Sequence, residues 1–214
     1  MFYSQLEQDR ILFERFFKNI KDGFFVDIGA HDGKTCSNTL FYEETLKWNG
    51  ICIEPLPDVY NLLIKNRKSK CFNYAICNDN TEKDFLELKG YPEMISGLLE
   101  CYDPRHLQRV YRELNEHGGS GKVIKVKTKK LQDILLDNNV NEIHYLSIDA
   151  EGAEFEILNS IDFSKVFIHV IDIENNFSDT FYIIKDFLES KGFTNCFSIS
   201  FDEIFINNNS NLKI

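Results

Sequence analysis

Residues Phe24, Phe25, Val26, Asp27 and Ile28 form a short apolar run that breaks at once into a glycine-bearing turn, Gly29-Ala30-His31-Asp32-Gly33, with a helix-like segment following from about Cys36. A strand that runs into a turn and then a helix is the repeating unit of an open α/β sheet. The turn is where such sheets take nucleotide or adenosyl ligands. Glycine lets backbone approach a ligand closely, and a carboxylate at the strand's carboxyl end can hold a ribose or a cationic group. A second apolar run, Gly50-Ile51-Cys52-Ile53, ends in Glu54. The pairing of these two strand ends points to function.

Strand-like and helix-like segments alternate along most of the chain. Leu6, Leu12, Phe13, Phe16, Phe17 and Ile20 recur at helical spacing, which predicts a leading amphipathic helix over 4–20. The pattern then predicts strands at 24–28, 50–54, 70–76, 143–148 and 166–173. Helices are predicted near 36–47, 57–66, 130–138, 152–159 and 179–190, and a closing strand pair at 193–199 and 202–206. Such alternation predicts one α/β domain over 1–214, a mostly parallel seven-stranded sheet between two helical layers, with the closing hairpin as an antiparallel edge. The asparagine-rich tail from Asn207 to Ile214 is expected to fray. Residues 79–129 interrupt the rhythm with Pro92, Pro104, Gly118, Gly119 and Gly121, and carry one helix-like segment, Leu107 to Glu116. They read either as an elaborated surface connection or as a lid on the acceptor side.

A formal net charge of −10 has the wrong sign for binding a phosphate backbone, so nucleic acid is not an expected partner. No basic run suggests a membrane surface, and no apolar stretch approaches the ~20 residues of a membrane span. The six cysteines are scattered without a Cys-x-x-Cys pair, and the amino terminus is polar from Ser4 onward without a signal pattern. The expected setting is the reducing cytoplasm.

A dinucleotide turn reads Gly-x-Gly-x-x-Gly, whereas here the position of the middle glycine falls on Ala30 or His31, so a diphosphate fits poorly. S-adenosylmethionine carries no phosphate. It needs backbone contact with its amino-acid tail, a carboxylate for its ammonium and an acid for its ribose. Asp27, Gly29, Gly33 and Glu54 supply these groups at compatible positions. The third strand ends in Tyr74-Ala75-Ile76, followed by Cys77-Asn78-Asp79, small and apolar surroundings suited to adenine. The alternatives are a helix-capping role for Asp27 with Glu54 a solvated charge, or an NAD-dependent oxidoreductase with Glu54 on the nicotinamide cofactor's ribose.

Several motifs together resemble one family. Ser4-Gln5, Gly23 to Ala30, Asp32-Gly33 and Ser37-Asn38-Thr39 are similar to the FkbM-type methyltransferases. So are Trp48-Asn49-Gly50-Ile51-Cys52-Ile53-Glu54-Pro55 and Ile148-Asp149-Ala150-Glu151-Gly152-Ala153-Glu154. The matches run from residue 4 to about 192. The chain departs from the family at Leu6-Glu7-Gln8-Asp9, where a glycine followed by Glu-Asp is usual; Gln5 and Asp9 remain the matching positions. The resemblance implies a class I, Rossmann-like methyltransferase fold, S-adenosylmethionine as donor and methylation of hydroxyls on sugars or natural products. The cofactor-binding set it implies is Gln5, Asp27, Gly29, Ala30, Gly33, Asn38, Thr39, Glu54, Pro55, Ala75, Ile76 and Asp149.

Methyl transfer to oxygen is an in-line displacement that needs an aligned nucleophile and a proton acceptor. The fourth strand ends in Asp149-Ala150-Glu151 and the fifth in Glu174-Asn175. Either Asp149 or Glu151 acts as general base with His31 nearby, or Asp149, Glu174 and Asn175 hold Mg²⁺, which lowers the pKa of the substrate hydroxyl. Glu151 and Glu154 also read as helix amino-terminal acids, each stabilised by roughly 0.3–1 kcal/mol. Tyr91, Met94, Tyr102 and Tyr111 are expected as acceptor walls, Ser96-Gly97 as pocket lining and His106 as a group facing the acceptor. His144 and His169 are expected to be satisfied interior residues. The resulting expectation is an S-adenosylmethionine-dependent O-methyltransferase acting on a small hydroxylated acceptor, a sugar or glycan; a non-catalytic binding domain is the third reading.

Overall fold

The structure, a computed structural model, describes residues 1–212. In chain order its elements are α1 (Gln8–Leu12), β1 (Phe24–Ile28), α2 (Leu40–Glu44), β2 (Asn49–Ile53), α3 (Pro57–Asn66), β3 (Lys70–Phe72), β4 (Ala75–Ile76), β5 (Glu82–Lys89) and β6 (Gly97–Leu98). They continue with α4 (Pro104–His117), β7 (Ser120–Lys129), α5 (Leu131–Asp137), β8 (Glu142–Ile148), α6 (Glu154–Asn159), β9 (Phe167–Glu174), α7 (Ser178–Ser190), β10 (Phe193–Ile199) and β11 (Asp202–Asn207).

Seven strands form the central sheet in the order β10-β11-β9-β8-β1-β2-β3. The pairs β9-β8, β8-β1, β1-β2 and β2-β3 are parallel, while β11 runs antiparallel between β9 and the outermost β10. The closing hairpin thus supplies the expected antiparallel edge, with its second strand inserted inboard of its first. The inner strands are apolar on both faces because helices cover both. Val26, Ile28, Ile51 and Ile53 pack on one side with Leu146 and Ile157. Phe25, Cys52 and Tyr145 point to the other, into a cluster with Phe17, Tyr42 and Trp48.

Asp27 shares the aromatic side with Phe25 by strand alternation. Deeper in this layer the Tyr145 hydroxyl donates to Asp172 Oδ2 at 2.7 Å, with both residues buried. Tyr145→Phe removes this donor from a buried carboxyl, so urea denaturation is expected to show a loss of about 1–3 kcal/mol.

The leading helix is shorter than its periodicity predicts. α1 passes into one π-helical turn, Phe13–Phe17, which carries Phe16 and Phe17 into the aromatic layer. Residues before it fold back instead of continuing the helix, because the Asp9 carboxylate accepts the Tyr3 N–H at 2.6 Å and the Ser4 hydroxyl at 2.7 Å. The helix predicted over 36–47 contracts to α2. Asp32 Oδ1 accepts the N–H groups of Lys34 and Thr35 and holds the chain in a turn there.

Residues 79–129 are not an irregular connection. β5 and β7 pair antiparallel from Glu82↔Lys127 to Lys89↔Ser120. With β4 and β6 they make a second sheet, ordered β4-β7-β5-β6. The strand predicted over 70–76 is divided between the two sheets. At the bend, the Asn73 side chain donates to the carbonyl oxygens of Glu54 and Pro55, each at 2.9 Å. α4 begins at Pro104, earlier than predicted, because the Asp103 side chain caps it through the Arg105 N–H.

The tail is ordered through Leu212, which is buried, while Ser210 bonds His169; residues 213 and 214 lie outside the described residues. Among the described residues no helix is long and apolar enough to cross a membrane. All six cysteines are free.

Candidate active site

Two cavities open at the carboxyl ends of the parallel strands. One, of about 670 Å³, is a mostly apolar slot between Ile53-Glu54-Pro55-Leu56, Tyr74-Ala75-Ile76, Phe85 and Leu98. The other, of about 660 Å³, is lined mainly by polar groups, among them Gln5, Asp27, Ala30, Ser37, Asn38 and Ser147. Gly29, His31, Met94 and Asp149 belong to both walls. A third, open cavity of about 1160 Å³ lies beside the polar one and shares Gln5, Leu6, Glu174 and Phe201 with it.

Glu54 is buried at the edge of the apolar slot. Its Oε2 accepts the His31 N–H at 3.1 Å and its Oε1 the Leu56 N–H at 2.8 Å. Burial pushes its carboxyl up to about 7 against those two stabilising bonds. A carboxylate accepts up to about four hydrogen bonds, so capacity remains for a ligand's hydroxyls.

Asp27 stands in a tighter frame than its sequence position suggests. The Thr39 hydroxyl donates to its Oδ2 at 2.5 Å, and Arg67 Nη1 lies 3.6 Å from the same oxygen. The Arg67 side chain is fully buried. It also donates to Glu43 Oε2, the Gly33 carbonyl, Ser37 Oγ and Thr39 Oγ1. One guanidinium therefore holds β1, the turn after it and the approach to α2 in a single network. Sequence reasoning passed over Arg67, since an arginine just past a helix end normally reads as solvated.

The two turn glycines answer to protein neighbours. Gly29 has φ +82°, and a Cβ there would lie 1.7 Å from the Asp149 carbonyl oxygen. Gly33 has φ +77°, and a Cβ there would meet Arg67 Cγ and Leu63 Cδ1 at 2.6 Å. Gly29 still forms cavity wall, whereas Gly33 and Thr39 line neither of the two cavities.

Three carboxylates converge between the cavities. Asp149, Glu151 and Glu174 each offer an oxygen within 4.8 Å of the others, a spacing at which they could hold a metal ion. Glu151 Oε2 and Glu174 Oε2 are buried without a hydrogen-bond partner. The surrounding protein, together with the carboxylates of Asp202 and Glu154, pushes Asp149 up to about 7. Burial and the neighbouring Asp149 push both glutamates well above the usual carboxylate range. Glu154 instead turns inward to the Ala150 and Gly152 N–H groups, a local role at the start of α6. Asn175 stands beside Glu174, and its Oδ1 accepts the Thr180 hydroxyl at 3.2 Å.

His31 lines both cavities, with Nε2 at 3.2 Å from Glu93 Oε1. Of the expected acceptor walls, Met94 and Ser96 reach the cavities. Tyr91 and Tyr111 do not line them and are exposed on the surface; Tyr102 bonds the Ile95 carbonyl and stacks on His106. His106 is buried with Nδ1 3.4 Å from Glu151 Oε2. Arg109, Arg112, Phe177 and Phe201, none of them singled out from sequence, line the open cavity. Glu142, His144 and His169 lie close enough to hold a metal ion. However, His144 Nδ1 accepts the Phe24 N–H, and both His169 nitrogens are bonded, so this group is internally satisfied.

Comparison with known proteins agrees with this architecture. Residues 27–194 match the family model described as the methyltransferase FkbM domain. A protein of Beauveria bassiana (strain ARSEF 2860) named Methyltransferase 1 is 25% identical over 194 residues, 80% of this chain and 72% of that one. A crystal structure of the methyltransferase FkbM from Methylobacillus flagellatus KT aligns with a TM-score of 0.51 at 12% identity, over 88% of this chain. The chain spans 44% of that structure's length, and the likeness is one of fold. The fold is that of the class I methyltransferases, and membership of the family implies S-adenosylmethionine as methyl donor. The chain belongs to the FkbM family of methyltransferases.

Proposed function

We propose that this enzyme methylates a hydroxyl oxygen of a small acceptor, a sugar or glycan unit, using S-adenosylmethionine. The observation that carries the reading is the meeting of an apolar slot and a polar cavity at Asp149, beside a separate open cavity. When bound, the donor supplies an electrophilic methyl on a sulfonium. Glu54 receives the ribose hydroxyls, and Tyr74, Pro55, Ala75 and Ile76 enclose the adenine. Gln5, Gly29, Ala30 and Asn38 border the amino-acid tail. Asp27, steadied by Thr39 and Arg67, faces the ammonium. Gly33 and Thr39 act at one remove, by shaping the turn. Asp149 or Glu151 takes the acceptor proton, with His31 beside them.

A sugar suits the open cavity because the exposed Phe201 ring offers a flat apolar face beside Gln5, Asn176 and Glu113, while Arg105 covers the Phe177 ring. The net charge of −10 weighs against a nucleic-acid acceptor, and six free thiols suit a cytoplasmic setting. The test is calorimetric titration with S-adenosylhomocysteine and NAD, followed by a methyl-uptake screen of glycosides. Binding of NAD without the homocysteine product overturns the reading.

Glu54→Gln keeps the shape of the slot but weakens the acceptor for ribose hydroxyls. S-adenosylhomocysteine affinity is expected to fall about tenfold or more. The same variant changes the pH dependence of the ligand-free protein. The folded-state pKa of Glu54, about 7, lies above its ordinary value of 4.5. The stability contributed by the bound proton is therefore full below the ordinary value and lost as pH rises through about 7. Glu54→Gln is expected to flatten that decline in denaturation curves measured across the window.

The cluster of Asp149, Glu151 and Glu174 favours a second reading, in which a divalent cation rather than a proton neutralises the acids. Glu151 joins Asp149 and Glu174 in that cluster, with Asn175 next to Glu174 in the chain. Magnesium typically uses one or two carboxylates with water and substrate oxygens, so the set is sufficient. Full activity after exhaustive chelation removes this reading.

A further inference from the structure

The open cavity carries chemistry that the donor site leaves unused. Its wall on α4 presents Arg105, Arg109 and Arg112, spaced so that they fall along one helix face. Arg105 is already neutralised, donating to Asp103 at 2.7 Å and to Asp179 at 2.9 Å. Arg109 Nε donates to Glu113 Oε1 at 3.0 Å, while its Nη1 stops 3.9 Å from Glu151 Oε2, beyond hydrogen-bond reach. Arg112 is exposed and makes no ion pair among the described residues. The acids on this wall are Glu113, which Arg109 engages, and Glu174, which pairs with none of the three arginines. An acidic chain thus presents one guanidinium, that of Arg112, without an ion-pair partner among the described residues at the mouth of its reaction crevice.

We propose that the acceptor carries an oxyanion, a phosphate or a carboxylate, that docks on Arg112 and the free face of Arg109. The inference rests on the methyltransferase reading of the crevice and names the acceptor class for it. Guanidinium forks match the paired oxygens of phosphate and carboxylate. Arg109 and Arg112 stand three residues apart, about 4.5 Å of helix rise, so two donors reach different oxygens of one anion. Arg109 also approaches Glu151, so an anion held here presents its neighbouring ring to the acids that take the proton. Arg112 makes no ion pair among the described residues, so its replacement is expected to leave the fold intact.

The test is calorimetric titration of the protein, with and without S-adenosylhomocysteine, using inorganic phosphate, glucuronate and glucose as probes. It compares wild type, Arg112→Glu and Lys127→Glu, the last an exposed cation on β7 that lines none of these cavities. Phosphate or glucuronate is expected to bind wild type more tightly than glucose does. Arg112→Glu is expected to weaken that anion by about tenfold or more, and Lys127→Glu to leave it unchanged. Whichever anion binds identifies the group. The proposal is overturned if both anions bind no better than glucose, or if both variants weaken them equally. A protein that binds the anion through Arg112 but ignores S-adenosylhomocysteine overturns the donor-site reading instead, so the two failures are distinguishable.

Discussion

Gly29→Ala is expected to destabilise the protein by about 2–5 kcal/mol, read as a lowered midpoint in urea denaturation. Two costs combine. An alanine in the left-handed region at φ +82° carries about 1–2 kcal/mol of backbone strain. Its Cβ would sit 1.7 Å from the Asp149 carbonyl oxygen, and that oxygen is backbone fixed by the sheet. The Asp149 N–H donates to the Ile28 carbonyl at 3.0 Å, so the end of β8 cannot retreat without breaking the β1 register. Forced overpacking of this kind adds about 1–3 kcal/mol. Against a typical total of 5–15 kcal/mol, the variant is left marginal. Gly33→Ala meets side-chain atoms of Arg67 and Leu63, which can shift, and is expected to lose less. Equal midpoints for wild type and Gly29→Ala would refute the packing argument.

That glycine shows what a single sequence can reveal. The turn was legible because an apolar run broken by glycines is a local signal. Its cause was not, because Asp149 lies far away in the chain and only the parallel pairing of β1 with β8 brings its carbonyl there. The strands buried on both faces, β1, β2, β8 and β9, could be read from continuous apolar runs. β5 and β7 could not be read that way, since each buries only part of its length and spaces its apolar residues with lysines and acids. Strict counting of the alternation in Val123-Ile124-Lys125-Val126-Lys127 would have found β7. Arg67 and Arg112 mark a different limit. Both are helix-associated arginines in sequence; one is the buried hub of the turn after β1 and the other faces the open cavity. Only tertiary packing distinguishes them.

Asp149→Asn is expected to lower the methyl-transfer rate by about 10²–10⁴, the contribution typical of a positioned proton acceptor. The change conserves volume and leaves intact the backbone bond to Ile28, so the crevice keeps its shape, and any fall in S-adenosylhomocysteine affinity measures what the Asp149 carboxylate contributes to holding the donor. Stability is expected to hold or rise, because the amide removes one of several mutually repelling acids around Glu151, Glu174 and Asp202. A variant that folds at least as well, binds the donor product and fails to transfer methyl has lost chemistry and nothing else. Glu151→Gln is the necessary companion, since Glu151 shares the cluster and its buried Oε2 is unpaired. Loss of rate in Asp149→Asn alone assigns the proton to Asp149, and loss in Glu151→Gln alone assigns it to Glu151. Full activity in both variants removes the carboxylates from the proton path, and the acceptor must then ionise by other means.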